Sequence, residues 1–267
     1  MIAYDLLCET NWKMIKGETF SDLEKQKIAH TFLSAVDNKD IVSRFHKGVN
    51  VTDGNRMLYP LFFIPPYNNG KKNRLITGEL PKTQLLNANH YELEILRILA
   101  LWDKDNPVVK AMLDETLRRL DAACFAHFCE TGECVGAGIS VLRLISILTN
   151  RSKKWMDELI SPLINLHNNC KSGMASIKNN LPVFYLYSAL PDGKNELCYN
   201  LINEKKEFLI QMLTRGNLTG PAIQDTYNVT RLYVLRNALS ILPAFEYMKN
   251  REVYISKKDN RCYCDVG

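Results

Sequence analysis

Apolar residues return along this chain at helical spacing, most regularly between Asn89 and Asn150. That stretch predicts a helix, a tight turn, a long helix, a Gly-containing loop and a further helix. Its first helix, residues 90–102, has an echo in residues 141–148 and another in residues 234–239. Upstream, Leu6, Leu7, Trp12 and Ile15 predict a short helix or ordered arm within residues 1–19. Ser21-Asp-Leu-Glu24 has the form of a capping box, in which the serine accepts from a backbone N–H and the glutamate reaches back. Residues 56–64 are dense in apolar and aromatic groups and predict a buried helix interrupted by Pro60. Residues 67–82 form the longest region without a helical period, the kind of loop that often carries function.

Beyond residue 87 the pattern is regular. Asn106 suits an N-cap and Pro107 a first helical residue. The next helix aligns Val109, Leu113, Leu117, Leu120, Cys124 and Phe128 on one stripe, with charged residues opposite. Helices are expected at 136–149, from Ser152 onward, at 179–190, at 194–214 and at 224–248. The tail, 251–267, is expected to form a short strand or to drape over the body.

Leu96-Arg97, Leu142-Arg143 and Leu235-Arg236 stand 46 and then 93 residues apart, close to one and two steps of a repeat. In each step a helix apolar nearly all round precedes a one-sided helix, which predicts inner and outer layers. The fold class read from the chain is all-α: repeated helical hairpins of about 46 residues forming an α/α toroid or a partly open helical ring. The organisation is one compact domain, with an N-terminal helical region (1–86), a hairpin-repeat region (87–250) and a C-terminal tail (251–267).

This alternation resembles the α/α toroid of terpenoid cyclases, protein prenyltransferase β-subunits and many polysaccharide-processing enzymes. The resemblance covers residues 87–248 and rests on periodicity; it implies a central cavity walled by the inner helices. Armadillo- and HEAT-type repeats are about as long and stand as the rival reading. The Asp-x-Asp-Asp acid motif of class II cyclases has no match, because Asp103-Lys-Asp105-Asn106 lacks the last Asp and sits in an inter-helix turn. Neither an aspartate-rich diphosphate motif nor a Gln-x-x-x-Gly-x-Trp repeat occurs.

Polar residues on the inner helices carry the candidate chemistry. His90, Glu94 and Arg97 share one face at i, i+4 and i+7; Ser140 and Arg143 take the matching face of the second inner helix, and Tyr233 and Arg236 that of the last. In a toroid such a stripe faces the cavity, since burying unpaired guanidiniums in a packed core is too costly. Arg97, Arg143, Tyr233 and Arg236 are therefore the expected ligand-binding set, suited to a carboxylate or phosphate. His90 or Glu94 is the expected acid or base. The competing reading pairs Glu94 with Arg97 and leaves the other arginines to cap helices or face solvent.

Cys124, His127, Cys129 and Cys134 are zinc-ligand types. Cys124 and Cys129 lie about 140° apart around a helix, however, and Cys124 sits on the apolar stripe. Core thiols are the preferred reading, so no metal site and no cofactor are assigned.

Composition narrows the classes. The net charge of +5 is spread over 267 residues with no dense basic stripe, which argues against a nucleic-acid partner. The start of the chain lacks a signal-peptide pattern, and no apolar run reaches the ~18 residues of a membrane span, so a cytoplasmic location with reduced thiols is expected. The functional expectation is a soluble protein that binds or processes an anionic small molecule or glycan in a central cavity, with the 67–82 loop as a lid. A scaffold for a protein partner is the alternative, and a metal or redox role for the cysteine cluster stands third.

Overall fold

The computed structural model describes residues 3–36, 62–66, 73–81, 83–122, 135–148, 160–161, 163–164, 181–193, 195–218, 221–256 and 258–266. Local sequence signals set most of the helix starts. Helix α1 (Ala3–Lys16) buries Leu7, Asn11 and Ile15 along one face. Helix α2 (Asp22–Leu33) opens on the expected capping box: Ser21 N–H donates to Glu24 Oε2 at 2.8 Å, and Ser21 Oγ accepts from Glu24 N–H at 3.3 Å. Helix α3 (Gln84–Trp102) begins earlier than its apolar pattern, because Thr83 caps it by accepting from Leu86 N–H at 3.0 Å. Helix α4 (Pro107–Ala122) follows Asn106, whose Oδ1 accepts from Val108 N–H at 3.0 Å.

Helices α5 (Val135–Ile145), α6 (Val183–Gly193), α7 (Glu196–Arg215) and α8 (Ala222–Leu239) follow, and residues 160–161 and 163–164 are also helical. The helix expected over 224–248 is divided. Pro243 lacks an N–H and its ring excludes the carbonyl four residues back, so α8 stops at Leu239 and a 3-10 helix (Pro243–Asn250) follows. The chain ends in a small antiparallel sheet: β1 (Asn217–Leu218), β2 (Val253–Ser256) and β3 (Arg261–Cys264), in the order β1-β3-β2. Asn217 pairs with Cys262 and Val253 with Cys264. The sheet packs on α7 and α8, with Cys262 and Cys264 buried. The fold is thus predominantly helical, with the tail folded as a hairpin.

The two kinds of helix are present. Residues 86–100 of α3 and 136–145 of α5 are buried without interruption. By contrast, α7 buries Cys198, Leu201, Ile202, Leu209 and Leu213, a single stripe. The buried helices follow one another in contact: α3 on α5, α5 on α6, α6 on α8, α8 on α1, and α1 back on α3. They also run in the same sense. A side chain added at Gly136 would meet Leu86, Ser140 meets Tyr185, and Arg143 meets both Glu94 and Ser188, so like positions lie side by side. One hydrophobic core extends from Leu7 to Cys264. No helix among the described residues is long and apolar enough to cross a membrane.

Residues 73–81 depart from the expected lid. Leu75, Ile76 and Thr77 are fully buried. The turn closes with Gly78 N–H donating to Leu75 O at 2.7 Å, and Gly78 has φ 79°. A Cβ there would stand 2.4 Å from Tyr227 Cγ, so glycine is required by both conformation and space. The segment ties several helices together. Tyr4 OH donates to Arg74 O, Trp12 Nε1 to Ile76 O at 2.7 Å, and Arg231 Nε to Thr77 O at 2.8 Å. The Glu79 carboxylate accepts from the N–H groups of Phe184 and Tyr185 at the start of α6, at 3.1 and 2.9 Å. Residues 67–72 and 82 of the expected lid, residues 56–61 of the helix around Pro60, most of the helix after Ser152, and the Cys124/His127/Cys129/Cys134 cluster lie outside the described residues.

Candidate functional site

Following the buried helices from the 73–81 segment toward their C-terminal ends leads to a pocket of about 130 Å³. Helix α1 contributes Ile15, α3 Arg97, α5 Arg143, α6 Ser188 and Asp192, and α8 Asn237. In α1, α3, α6 and α8 these residues come later than those that bind residues 73–81. The pocket therefore sits toward the C-terminal ends of α1, α5, α6 and α8, and Arg97 reaches it from more than a turn inside the end of α3.

Arg143 is saturated. Its Nε donates to Glu94 Oε1 at 2.5 Å; Nη1 donates to Ser188 O and Oγ at 2.8 and 2.9 Å; Nη2 donates to Asn11 Oδ1 and Glu94 Oε2, both at 3.3 Å. A guanidinium has five N–H donors, and all five are used. Glu94 accepts in addition from Tyr185 OH at 2.7 Å, and that hydroxyl also meets Ser140 Oγ at 2.9 Å. Burial alone would push the Glu94 carboxyl up, but Arg143 and then Arg97 outweigh it and hold it at about 2. Opposed to its own burial, the Glu94 charge raises Arg143 above its ordinary value. These residues form a fully paired polar core (Asn11, Glu94, Ser140, Arg143, Tyr185 and Ser188), in which Glu94 is a fixed anion.

His90 is also occupied. Its Nε2 accepts from Ile76 N–H at 3.1 Å, and its ring stands edge-on to Tyr185 with centroids 5.2 Å apart. Burial pushes it down to about 4, with the Arg143 charge acting in the same direction and Glu94 against it. It is a neutral imidazole that anchors the 73–81 turn. Neither His90 nor Glu94, the residues expected as acid or base, lines the pocket; His90 accepts from Ile76 N–H and Glu94 from Arg143.

Arg97 differs. Only Nη2 has a partner, Asp192 Oδ2 at 3.1 Å, while Nε and Nη1 are buried with no hydrogen-bond partner among the described residues. The side chain is 9% exposed and that of Asp192 36%. Burial, with Arg143 nearby, lowers the Arg97 pKa, and the carboxylates of Glu94 and Asp192 oppose the shift. A buried cation with open donors beside a cavity is an unmet demand for an acceptor.

Arg236, expected beside these two, turns away. Its Nη1 donates to Arg251 O at 2.7 Å, Nε and Nη2 donate to Asn237 Oδ1 at 3.1 and 2.8 Å, and the group lies 4.5 Å from the centre of the Tyr233 ring. Tyr233 OH accepts from Val253 N–H at 3.4 Å. Arg236 and Tyr233 thus hold the C-terminal segment. Their link to the pocket is indirect: Asn237, fixed by Arg236 and by donating to Ile15 O at 2.7 Å, forms part of its wall. The competing Glu94–Arg97 pairing is replaced by Glu94–Arg143 and Arg97–Asp192.

A larger cleft of about 740 Å³ adjoins the pocket and shares Pro191 and Asn237 with it. Its far walls include Leu190, Tyr199, Ile241 and Lys249. Sequence reasoning did not find Asn11, Ser188, Asp192 or Asn237. Asn11 had a signal, a polar residue at i+4 between Leu7 and Ile15 on a buried stripe. No group of three or more metal-ligating side chains occurs among the described residues. Comparison with protein-family models, curated proteins and solved structures finds no match to this chain.

Proposed function

We propose that this protein binds a small ligand bearing an anionic group in the pocket at the centre of its buried helices, with Arg97 as the receiving residue. The observation that carries this reading is Arg97 itself, a buried guanidinium whose Nε and Nη1 have no partner among the described residues and which lines a cavity of ligand-head size. The same-sense helices α3, α5, α6, α8 and α1, following each other in a closed order of contacts, support an α/α-toroid-like ring with this pocket as its lumen. The adjoining cleft offers room for the rest of the ligand.

The reading stops at binding. His90 and Glu94 face structural partners, so no turnover is assigned to them. Arg143 and Arg236 shape the site without offering donors: one braces Glu94 and Ser188, the other braces Asn237. The test is calorimetric titration of the intact protein with acetate, 3-phenylpropionate, glycine, L-phenylalanine and inorganic phosphate, repeated on Arg97→Gln. Binding of at least one of these, weakened roughly tenfold or more in the variant, is the expected result. Binding that survives Arg97→Gln unchanged, or no binding by any member of the set, overturns the reading.

A further inference from the structure

The pocket is balanced in charge before any ligand enters. Arg143 and Glu94 cancel, and Arg97 faces Asp192 at 3.1 Å. The lining also lies near the C-terminal ends of α1, α5, α6 and α8, where the end of a helix carries roughly half a negative charge. A lone anion would leave excess negative charge in a mostly buried place, with the Asp192 carboxylate beside it. A lone cation would leave Nε and Nη1 of Arg97 without an acceptor. Both demands are met by a ligand that carries an anion and a cation on neighbouring atoms.

We propose that the pocket receives the head group of a free α-amino acid, its carboxylate on the open donors of Arg97 and its ammonium on the carboxylate of Asp192. This rests on the ligand-binding reading given above and names the ligand class. The volume of about 130 Å³ suits the head group. The side chain passes Pro191 and Asn237 into the larger cleft, where Leu190, Tyr199 and Ile241 offer apolar contact. Asp192 is suited to its part: one carboxylate oxygen is fixed by Arg97, and the side chain is exposed enough to meet an incoming ammonium. Arg97 thereby organises both ends of the head group, one by direct contact and one through its partner.

The experiment is calorimetric titration of the intact protein with glycine, L-phenylalanine, 3-phenylpropionate (no ammonium) and phenethylamine (no carboxylate), on the native chain and on Asp192→Asn. The Asp192 side chain is partly exposed, and thermal unfolding checks that the variant remains folded. The expected result is binding of L-phenylalanine, with each truncated analogue weaker by roughly tenfold or more. Asp192→Asn then weakens L-phenylalanine while leaving 3-phenylpropionate unchanged or improved. Should 3-phenylpropionate bind as tightly as L-phenylalanine, and Asp192→Asn act on both alike, the amino-acid inference is overturned and the simpler anion reading survives. If neither glycine, L-phenylalanine nor 3-phenylpropionate binds, the inference fails, and the reading beneath it fails as well if acetate and inorganic phosphate do not bind either.

Discussion

Replacing Arg143 by alanine tests whether its five donor contacts hold the fold or serve a ligand. The side chains of Arg143 and Glu94 are 3% and 1% exposed. Removing the cation leaves the Glu94 carboxylate buried with Tyr185 OH as its remaining neutral donor and takes a donor away from Ser188 O, Ser188 Oγ and Asn11 Oδ1, although Ser188 Oγ keeps its own bond to Tyr185 O. Breaking a buried pair on one side costs about 3–5 kcal/mol, a large part of the 5–15 kcal/mol typical of a domain. The assay is equilibrium unfolding in urea followed by far-ultraviolet circular dichroism. A second variant keeps the test decisive if the first fails to fold: Glu94→Gln with Arg143→Met removes both charges and is expected to cost less than Arg143→Ala alone.

The two proteins must also differ in pH dependence. In the native chain the Glu94 pKa is depressed to about 2, so its contribution is complete above its unfolded value of 4.5 and is lost as pH falls toward 2. Without Arg143, burial raises that carboxyl, so the penalty is small below 4.5 and grows as pH rises. The stability gap between native and variant should therefore narrow on going from about pH 7 to about pH 3. A loss below about 1 kcal/mol at about pH 7, the size of an exposed pair, refutes the argument.

Two further outcomes follow from the 73–81 segment. Gly78→Ala combines a positive φ with a Cβ 2.4 Å from Tyr227, and should cost roughly 2–4 kcal/mol in urea unfolding; a neutral effect would disprove the tight packing. His90 has its pKa lowered from 6.5 to about 4, so the unfolded chain binds the extra proton and stability is complete above 6.5 and lost as pH falls toward 4, by up to about 3 kcal/mol. His90→Gln keeps an acceptor for Ile76 N–H and should flatten the stability curve over that window, whereas an unchanged slope would assign the titration elsewhere.

The presence of fully buried helices beside a one-sided one was legible because it depends on periodicity, which each helix carries alone. The shared face of His90, Glu94 and Arg97 was legible for the same reason. Which acid meets which arginine was not. That depends on how α3, α5 and α6 are rotated against one another, across separations of 49 residues for Glu94–Arg143 and 95 for Arg97–Asp192. Asp192 was hidden because Asp-Gly reads as a turn, although here it ends α6 over the pocket. Arg236 was expected beside Arg97 and Arg143, but Pro243 ends helical continuation after α8, and a 3-10 helix and a hairpin follow. The guanidinium follows that change and binds the tail. Residues 73–81 lacked a helical period because they form a buried turn, whose apolar run of Leu75 and Ile76 is too short to announce itself.

That buried turn has a further effect on traffic. It stops the end of the bundle where α3, α6 and α8 begin, bound to four helices at once, so withdrawing it would unseat the frame itself. The pocket at Arg97 and the larger cleft both lie away from this turn, where α6 gives way to α7 and the 3-10 helix follows α8. On the proposed reading, a guest held at Arg97 reaches and leaves the pocket past the residues it shares with that cleft, Pro191 and Asn237. Changes at Pro191, Tyr199 or Ile241 would then alter how long a guest stays while leaving its grip on Arg97 intact.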